Sequence, residues 1–252
     1  MVEEYSTSFL KEVIVRLDYS YPLIKLSKSL PQKIRDKASQ SFPISEPNES
    51  IIRGLEITKN ATKIIKGTDW VFHSIDRKKT LIIANDNVNI SYKKYDSFDV
   101  LKNDLLPIMN ELFSVYDDLQ GKRLGLRYIN DIILSENDVF NWTSYLNESL
   151  LNNLSFLEDT TKIRRAFTTL ELNEGDVIVK FQYGMFNPDY PAPIQKKSFI
   201  LDYDAYHRGA LNLEDIIPKL DKLNTIIKTI FERSIKDGLR NLMGVQNDGQ
   251  RI

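Results

Sequence analysis

Asp104-Leu105-Leu106-Pro107 recurs 111 residues later as Asp215-Ile216-Ile217-Pro218. Around the first block, Leu101, Leu105, Ile108, Leu112, Val115 and Leu119 step by fours and threes. Around the second, Ile216, Leu220, Leu223, Ile227, Ile230 and Ser234 follow the same rhythm. Each series draws one stripe along a long helix, and Gly121 is placed to close the first.

The same shift holds outside the helices. Tyr92 and Tyr95 fall on Tyr203 and Tyr206, Arg16 on Arg127, and Ile52-Arg53 on Ile163-Arg164, while Trp70 and Phe72 fall on Phe181 and Tyr183. Alternating, β-branched runs predict strands at Phe9–Tyr19, Ile51–Lys59, Trp70–Ile75, Thr80–Ala84 and Val88–Tyr95. A short helix carries Leu30, Ile34 and Ala38. The second half predicts a strand at Arg123–Leu134 and a helix at Asn137–Leu154 through Trp142, Tyr145, Leu146 and Leu150. A hairpin, Lys162–Leu172 with Asp176–Phe186, turns at Asn173-Glu174-Gly175, and a last strand spans Ser198–Tyr206.

The expected class is therefore α+β: two tandem β-α-β(3-4)-α repeats forming a wide antiparallel sheet backed by two long helices. Their expected bounds are 1–120 and 121–240, with 241–252 as a flexible tail. One such repeat leaves a face and an edge unsatisfied, which edge-to-edge pairing of two copies relieves. The order resembles TATA-binding-protein-like and helix-grip folds, an analogy that carries no function.

Composition narrows the chemistry. The 252 residues hold 34 Lys+Arg against 35 Asp+Glu, no Cys and two His. Thiolate metal sites, disulfides and cysteine nucleophiles are excluded. A net charge of −1 supplies no whole-molecule field toward nucleic acid. The acidic, polar N-terminus and the lack of a long apolar run predict a soluble cytoplasmic protein. No phosphate-loop, dinucleotide, hydrolase-elbow or zinc-protease motif occurs. The expectation is a non-enzyme without cofactor or metal.

His73 and His207 read as ordinary histidines. Asp202 and Asp204, at i and i+2 on one strand, offer oxygen ligands but read better as a solvated strand face. Arg16, Arg53, Arg127 and Arg164 occupy strand positions related by the repeat. Each can hold phosphate or a partner carboxylate, and equally a cross-strand ion pair with Glu12, Asp18, Glu56 or Asp131. Lys122-Arg123 and Lys162-Ile163-Arg164-Arg165 are the densest basic segments and are read as opening strands. The candidate nucleic-acid or partner-binding residues are thus Arg16, Arg53, Lys122, Arg123, Arg127, Lys162, Arg164 and Arg165.

Phe9-Leu10-Lys11-Glu12-Val13-Ile14-Val15-Arg16-Leu17-Asp18-Tyr19, Trp70-Val71-Phe72, Leu124-Gly125-Leu126-Arg127-Tyr128-Ile129-Asn130 and Phe231-Glu232-Arg233-Ser234-Ile235 form a pattern along nearly the whole chain. It resembles a sporadically distributed, poorly characterised prokaryotic family. The resemblance brings no catalytic residues. Patchy distribution is typical of antiviral defence loci, where small proteins partner a nuclease or toxin. One such partner type accompanies truncated archaeal Argonaute proteins and completes their nucleic-acid channel. The resemblance implies a non-catalytic adaptor with a protein partner (nuclease, Argonaute-like or toxin), nucleic acid as a further ligand of the complex, and no membrane. The alternatives are a stand-alone nucleic-acid-binding module and a small-molecule or nucleotide-sensing domain.

Overall fold

The computed structural model describes residues 5–56 and 61–244, with side chains described outside 50–66. The fold is α+β, with ten strands and four helices among the described residues. In chain order these are β1 (Leu10–Tyr19), α1 (Gln32–Ser41), β2 (Ile44–Ser45), β3 (Asn48–Glu56), β4 (Ala61–His73), β5 (Lys79–Ile83), β6 (Asn87–Tyr92) and α2 (Phe98–Val115). There follow β7 (Gly121–Leu134), β8 (Ala166–Glu174), β9 (Val177–Met185), β10 (Lys197–Leu211), α3 (Leu213–Ser234) and α4 (Asp237–Met243). The expected wide antiparallel sheet is present, in the order β2-β4-β5-β6-β1-β7-β10-β9-β8, with β3 on β4.

The chain forms two compact units. One comprises Val13–Leu126 and His207–Leu220. Its β1 alternates as expected: Val13, Val15, Leu17 and Tyr19 are wholly buried. They share a core with Leu81, Ile83, Val88 and Ile90, and with Leu101, Leu105, Ile108 and Leu112 of α2. Fully burying each such side chain contributes about 1.5–3 kcal/mol. Ser97 caps α2, its side chain accepting from Val100 N at 3.2 Å. Asp104, buried on α2, accepts from Tyr92 Oη at 3.2 Å and from Lys79 Nζ at 3.0 Å. Burial, then Asp104, pushes the Tyr92 phenol far above its ordinary range.

Gly121 does not close α2. The helix stops at Val115, and Gly121 instead opens β7, where an added Cβ would lie 2.6 Å from Leu17 Cδ1. The residue is small because a neighbouring side chain occupies its Cβ position.

The other unit comprises Met1–Glu12, Arg127–Tyr206 and Asp221–Ile252. Its core includes Tyr128, Ile132, Val179, Phe181, Phe199, Leu201 and Tyr203. Phe181 and Tyr203 stack with centroids 4.6 Å apart. The expected helix over Asn137–Leu154 is absent: this stretch is turns with a 3-10 turn at Glu148–Leu150. Its Asx side chains bind the backbone that a helix would use. Asp138 accepts from Phe140 N, Asn141 from Thr143 N, and Asn147 from Ser149 N. Trp142 and Leu146 are nonetheless wholly buried, which is the periodicity that suggested a helix. Lys197, whose side chain is fully enclosed, donates to Glu136 Oε2 at 2.7 Å and to the Asn141 carbonyl.

Helix α4 takes in residues 241–243 of the expected tail, and 245–252 lie outside the described residues.

Candidate interaction surface

The candidate basic residues separate by what they touch. Arg16 Nε donates to Asp18 Oδ1 at 2.6 Å, and Arg123 Nη1 lies 3.9 Å from Asp18 Oδ2. Asp18 was among the ion-pair partners expected for these strand arginines. Arg127 instead takes Asp202 of β10, donating from Nε and Nη2 to the two carboxylate oxygens at 2.8 and 2.6 Å. Hydrogen bonding to Asp202, with the charges of Asp202, Asp204 and Glu12, raises the Arg127 pKa against burial. Asp202 is buried, so the reading of it as a solvated strand residue is corrected. Its charge is matched across the strand pair and not by water. Lys122 is exposed on β7. Arg53 lies on β3 opposite Ile64, and its side chain is outside the described residues.

Lys162, Arg164 and Arg165 are brought together. They do not open a strand: Lys162 ends the 3-10 turn Thr160–Lys162, and β8 starts at Ala166. Asp159 caps that turn by accepting from Thr161 N at 3.1 Å. The segment is held by Asn187, a buried polar side chain. Its Nδ2 donates to the carbonyls of Arg164 at 3.1 Å and Ala192 at 2.7 Å, and its Oδ1 accepts from Asp189 N at 3.1 Å. One amide thus clamps the β7–β8 connection to the β9–β10 connection.

The clamp sets Arg165 among aromatic rings. Its guanidinium lies 4.6 Å from the Tyr190 centroid and 5.1 Å from that of Phe186. Phe167 meets Phe186 edge-on at 6.0 Å. Strand alternation sends Phe167 to the face opposite the buried Phe181 and Val179. Phe156 is 85% exposed and Tyr190 56%, an unusual display of large rings to solvent. Phe156, Phe167 and Tyr190, with Lys162, Arg164, Arg165 and the neighbouring Asn153, Leu157, Ile163 and Ala166, line an open groove of about 690 Å³. Its lining holds three cations and no carboxylate.

The basic run was legible; the rings were not. Phe167 comes two residues after Arg165, but Tyr190 sits in a proline-rich loop and only the fold brings it to Arg165. Asn187, in that same loop, has no sequence signal for a clamp.

Elsewhere, Lys25, Ser29, Pro31, Val115, Tyr116, Asp117 and Asp118 line a groove of about 600 Å³ at the end of α2. Its lining mixes one cation with two carboxylates. A hydrogen bond from Tyr21 to the nearby Asp118, with some burial, pushes the phenol up to about 12. His73 Nδ1 is 3.1 Å from Thr80 Oγ1, and its Nε2 is 3.4 Å from Glu46. No cluster of three His, Asp or Glu residues that could hold a metal ion occurs among the described residues. None of the described helices is long and apolar enough to cross a membrane.

In comparisons with known proteins, no family model matches the chain and no curated protein matches it.

Proposed function

We propose that the chain is a non-catalytic adaptor subunit of a prokaryotic defence complex, Argonaute-type or toxin-linked, that docks a second protein in the groove before β8. The observation that carries this reading is the exposed ring cluster around Arg165. Arginine, tyrosine and other large aromatics dominate the energetics of protein interfaces. A surface holding Arg165 between Phe186 and Tyr190, with Phe156 and Phe167 beside it, presents the residue types that anchor such interfaces. The motif resemblance supports the defence setting.

The tandem-repeat organisation is part of the same proposal. It is supported by the strand order: from the central β1 and β7, the sheet runs outward through β6, β5, β4 on one side and β10, β9, β8 on the other. The second repeat then has turns in place of the first repeat's α1. A TATA-binding-protein-like or helix-grip-like arrangement is the analogy that fits this order.

The test is purification of the tagged chain from its native host. A stoichiometric second protein is expected, with recovery falling about tenfold in the Arg165→Ala/Tyr190→Ala variant, the size of a hot-spot loss near 1.4 kcal/mol. Repeated recovery of the chain alone rejects the reading.

A second reading, single-strand nucleic-acid binding in this groove, draws on the three cations with no carboxylate among the lining residues. It requires salt-sensitive binding of a labelled oligothymidine, with a log–log slope near −2 for about three phosphate contacts. Absent or salt-independent binding rejects it.

A further inference from the structure

Strand β8 ends the sheet. Its nine residues pair one to one with β9, Ala166 opposite Met185 through Glu174 opposite Val177, without a bulge. Among the described residues, no backbone hydrogen bond of Ala166–Glu174 runs anywhere except to β9. From outside the β8–β9 pair, the Asn153 amide reaches the Thr168 hydroxyl, and Phe156 and Leu157 share a groove with Ala166 and Phe167 at the start of the strand. The strand has no proline and no lysine, the usual protections of a free edge. Leu170, on the side that faces the core, is 41% exposed. A long, regular and partly apolar edge of this kind is a template for another strand.

The charges on this edge specify which strand. The basic residues, Lys162, Arg164 and Arg165, precede it, while Glu174 and Asp176 lie at its far end and Glu171 beside its centre. An antiparallel copy of the same strand reverses that order. Centred on Leu170, the pairing sets Ala166 opposite Glu174 of the second copy, Thr168 opposite Leu172, and Leu170 opposite itself. Residues of equal parity meet, so the two outer faces stay continuous. Arg164, in the bend just before the strand, then comes near Glu174 at the end of the second copy's strand, within reach of a long side chain. Both residues are exposed, and neither has an ion-pair partner among the described residues. No like charges stand directly opposite each other in this register; Glu171 lies diagonal to Glu171 of the second copy, on the exposed face.

We infer that β8 pairs antiparallel with β8 of a second copy, making a two-fold symmetric dimer with a continuous sheet. This goes beyond the adaptor reading and stands or falls separately. A two-fold contact is self-complementary, and one strand with opposite charge at its two ends satisfies that condition alone.

The full chain provides the test by sedimentation or light scattering. The wild type at about 100 µM, ample for a micromolar contact, gives twice the 29.2 kDa chain mass. Arg164→Glu and Glu174→Arg each place like charges together twice per dimer and raise the dissociation constant at least about tenfold. An equimolar mixture of the two variants restores the double mass, because each variant's altered residue then faces its complement in the other. That recovery also shows that both variants are folded. A monomeric wild type, or variants that dimerise as well as the wild type, or a mixture that fails to recover, overturns the inference. A monomer that still recovers a second protein leaves the adaptor reading standing, and a dimer that recovers none rejects that reading alone.

Discussion

Arg127 on β7 holds Asp202 on β10 through both Nε and Nη2, and the two partners are unequally exposed: 39% of the arginine side chain and 8% of the aspartate's. Each substitution therefore has its own cost. Arg127→Ala leaves a buried carboxylate without a counter-charge and costs about 3 kcal/mol. Asp202→Ala leaves an arginine that can turn to water and costs about 1 kcal/mol. Urea denaturation of both variants and of the double variant measures this. Equal losses for the two singles would refute the asymmetry.

Gly184 on β9 has φ of +137°, and an added Cβ would collide with the Ala166 carbonyl oxygen of β8. Gly184→Ala cannot be absorbed by a side-chain rotation, since the obstacle is backbone. A loss of at least about 2 kcal/mol is expected in chemical denaturation. The same change at the exposed Gly175, which has open space but φ of +71°, costs only the backbone strain of about 1 kcal/mol. The ratio of the two losses separates collision from conformation.

Glu136 is held below its ordinary value near 4.5 first by Lys197 and then by Tyr145. A carboxylate depressed in the folded state contributes stability above its unfolded value, and loses it as pH falls through the folded value. The melting temperature should decline on acidification below about pH 4.5. Glu136→Gln should flatten that decline while lowering the neutral-pH value, because the enclosed Lys197 ammonium loses its counter-ion. An unchanged acid limb in the variant would exclude Glu136 as its source.

Tyr21 titrates near 12 because Asp118 accepts its hydroxyl. Asp118→Asn returns it toward about 10. Stability from this bond is complete below pH 10 and disappears as pH rises through the folded value. Difference absorbance against Tyr21→Phe isolates this phenol among the 12 tyrosines. Identical titration in Asp118→Asn would rule out the bond.

Asn187→Ala removes the clamp on the Arg164 and Ala192 carbonyls without removing any groove-lining residue. Partner recovery should fall several-fold, as expected when a supporting contact is lost, while Asn187→Asp retains only the acceptor half and falls in between. Undiminished recovery in Asn187→Ala would show that the groove holds its shape without the clamp.

Sequence periodicity located α2 and α3 because each buries one continuous stripe, and it located β1 because Val13, Val15, Leu17 and Tyr19 alternate into one core. It failed over Asn137–Leu154 for a definite reason. The apolar residues there are buried at helical spacing, but Asp138, Asn141 and Asn147 occupy the nearby amides. Periodicity reports which residues face inward and not which hydrogen bonds the backbone makes. At Gly121 the same limit applies: a glycine after a helix suits a cap, and only Leu17 reveals why it is there.

The groove was half legible. Lys162, Arg164 and Arg165 stand out as a run, whereas Phe186 and Tyr190 join them only through the β8–β9 pairing and the Asn187 clamp. Asp202 was read as solvated because a sequence places it on a strand face but not beneath a guanidinium from the next strand.

The two tryptophans fall one to each unit. Trp142 is wholly buried in the unit that holds β8 and β9, with the Lys197 ammonium 5.2 Å from its ring. Trp70 belongs to the other, its indole N–H donating to the Leu26 carbonyl and its ring under the Arg35 guanidinium at 5.3 Å. The chain thus carries two optical reporters in different surroundings. Trp70→Phe and Trp142→Phe variants would each leave a single tryptophan, so denaturation followed by selectively excited tryptophan fluorescence would register whether the two units unfold in one cooperative step or in sequence.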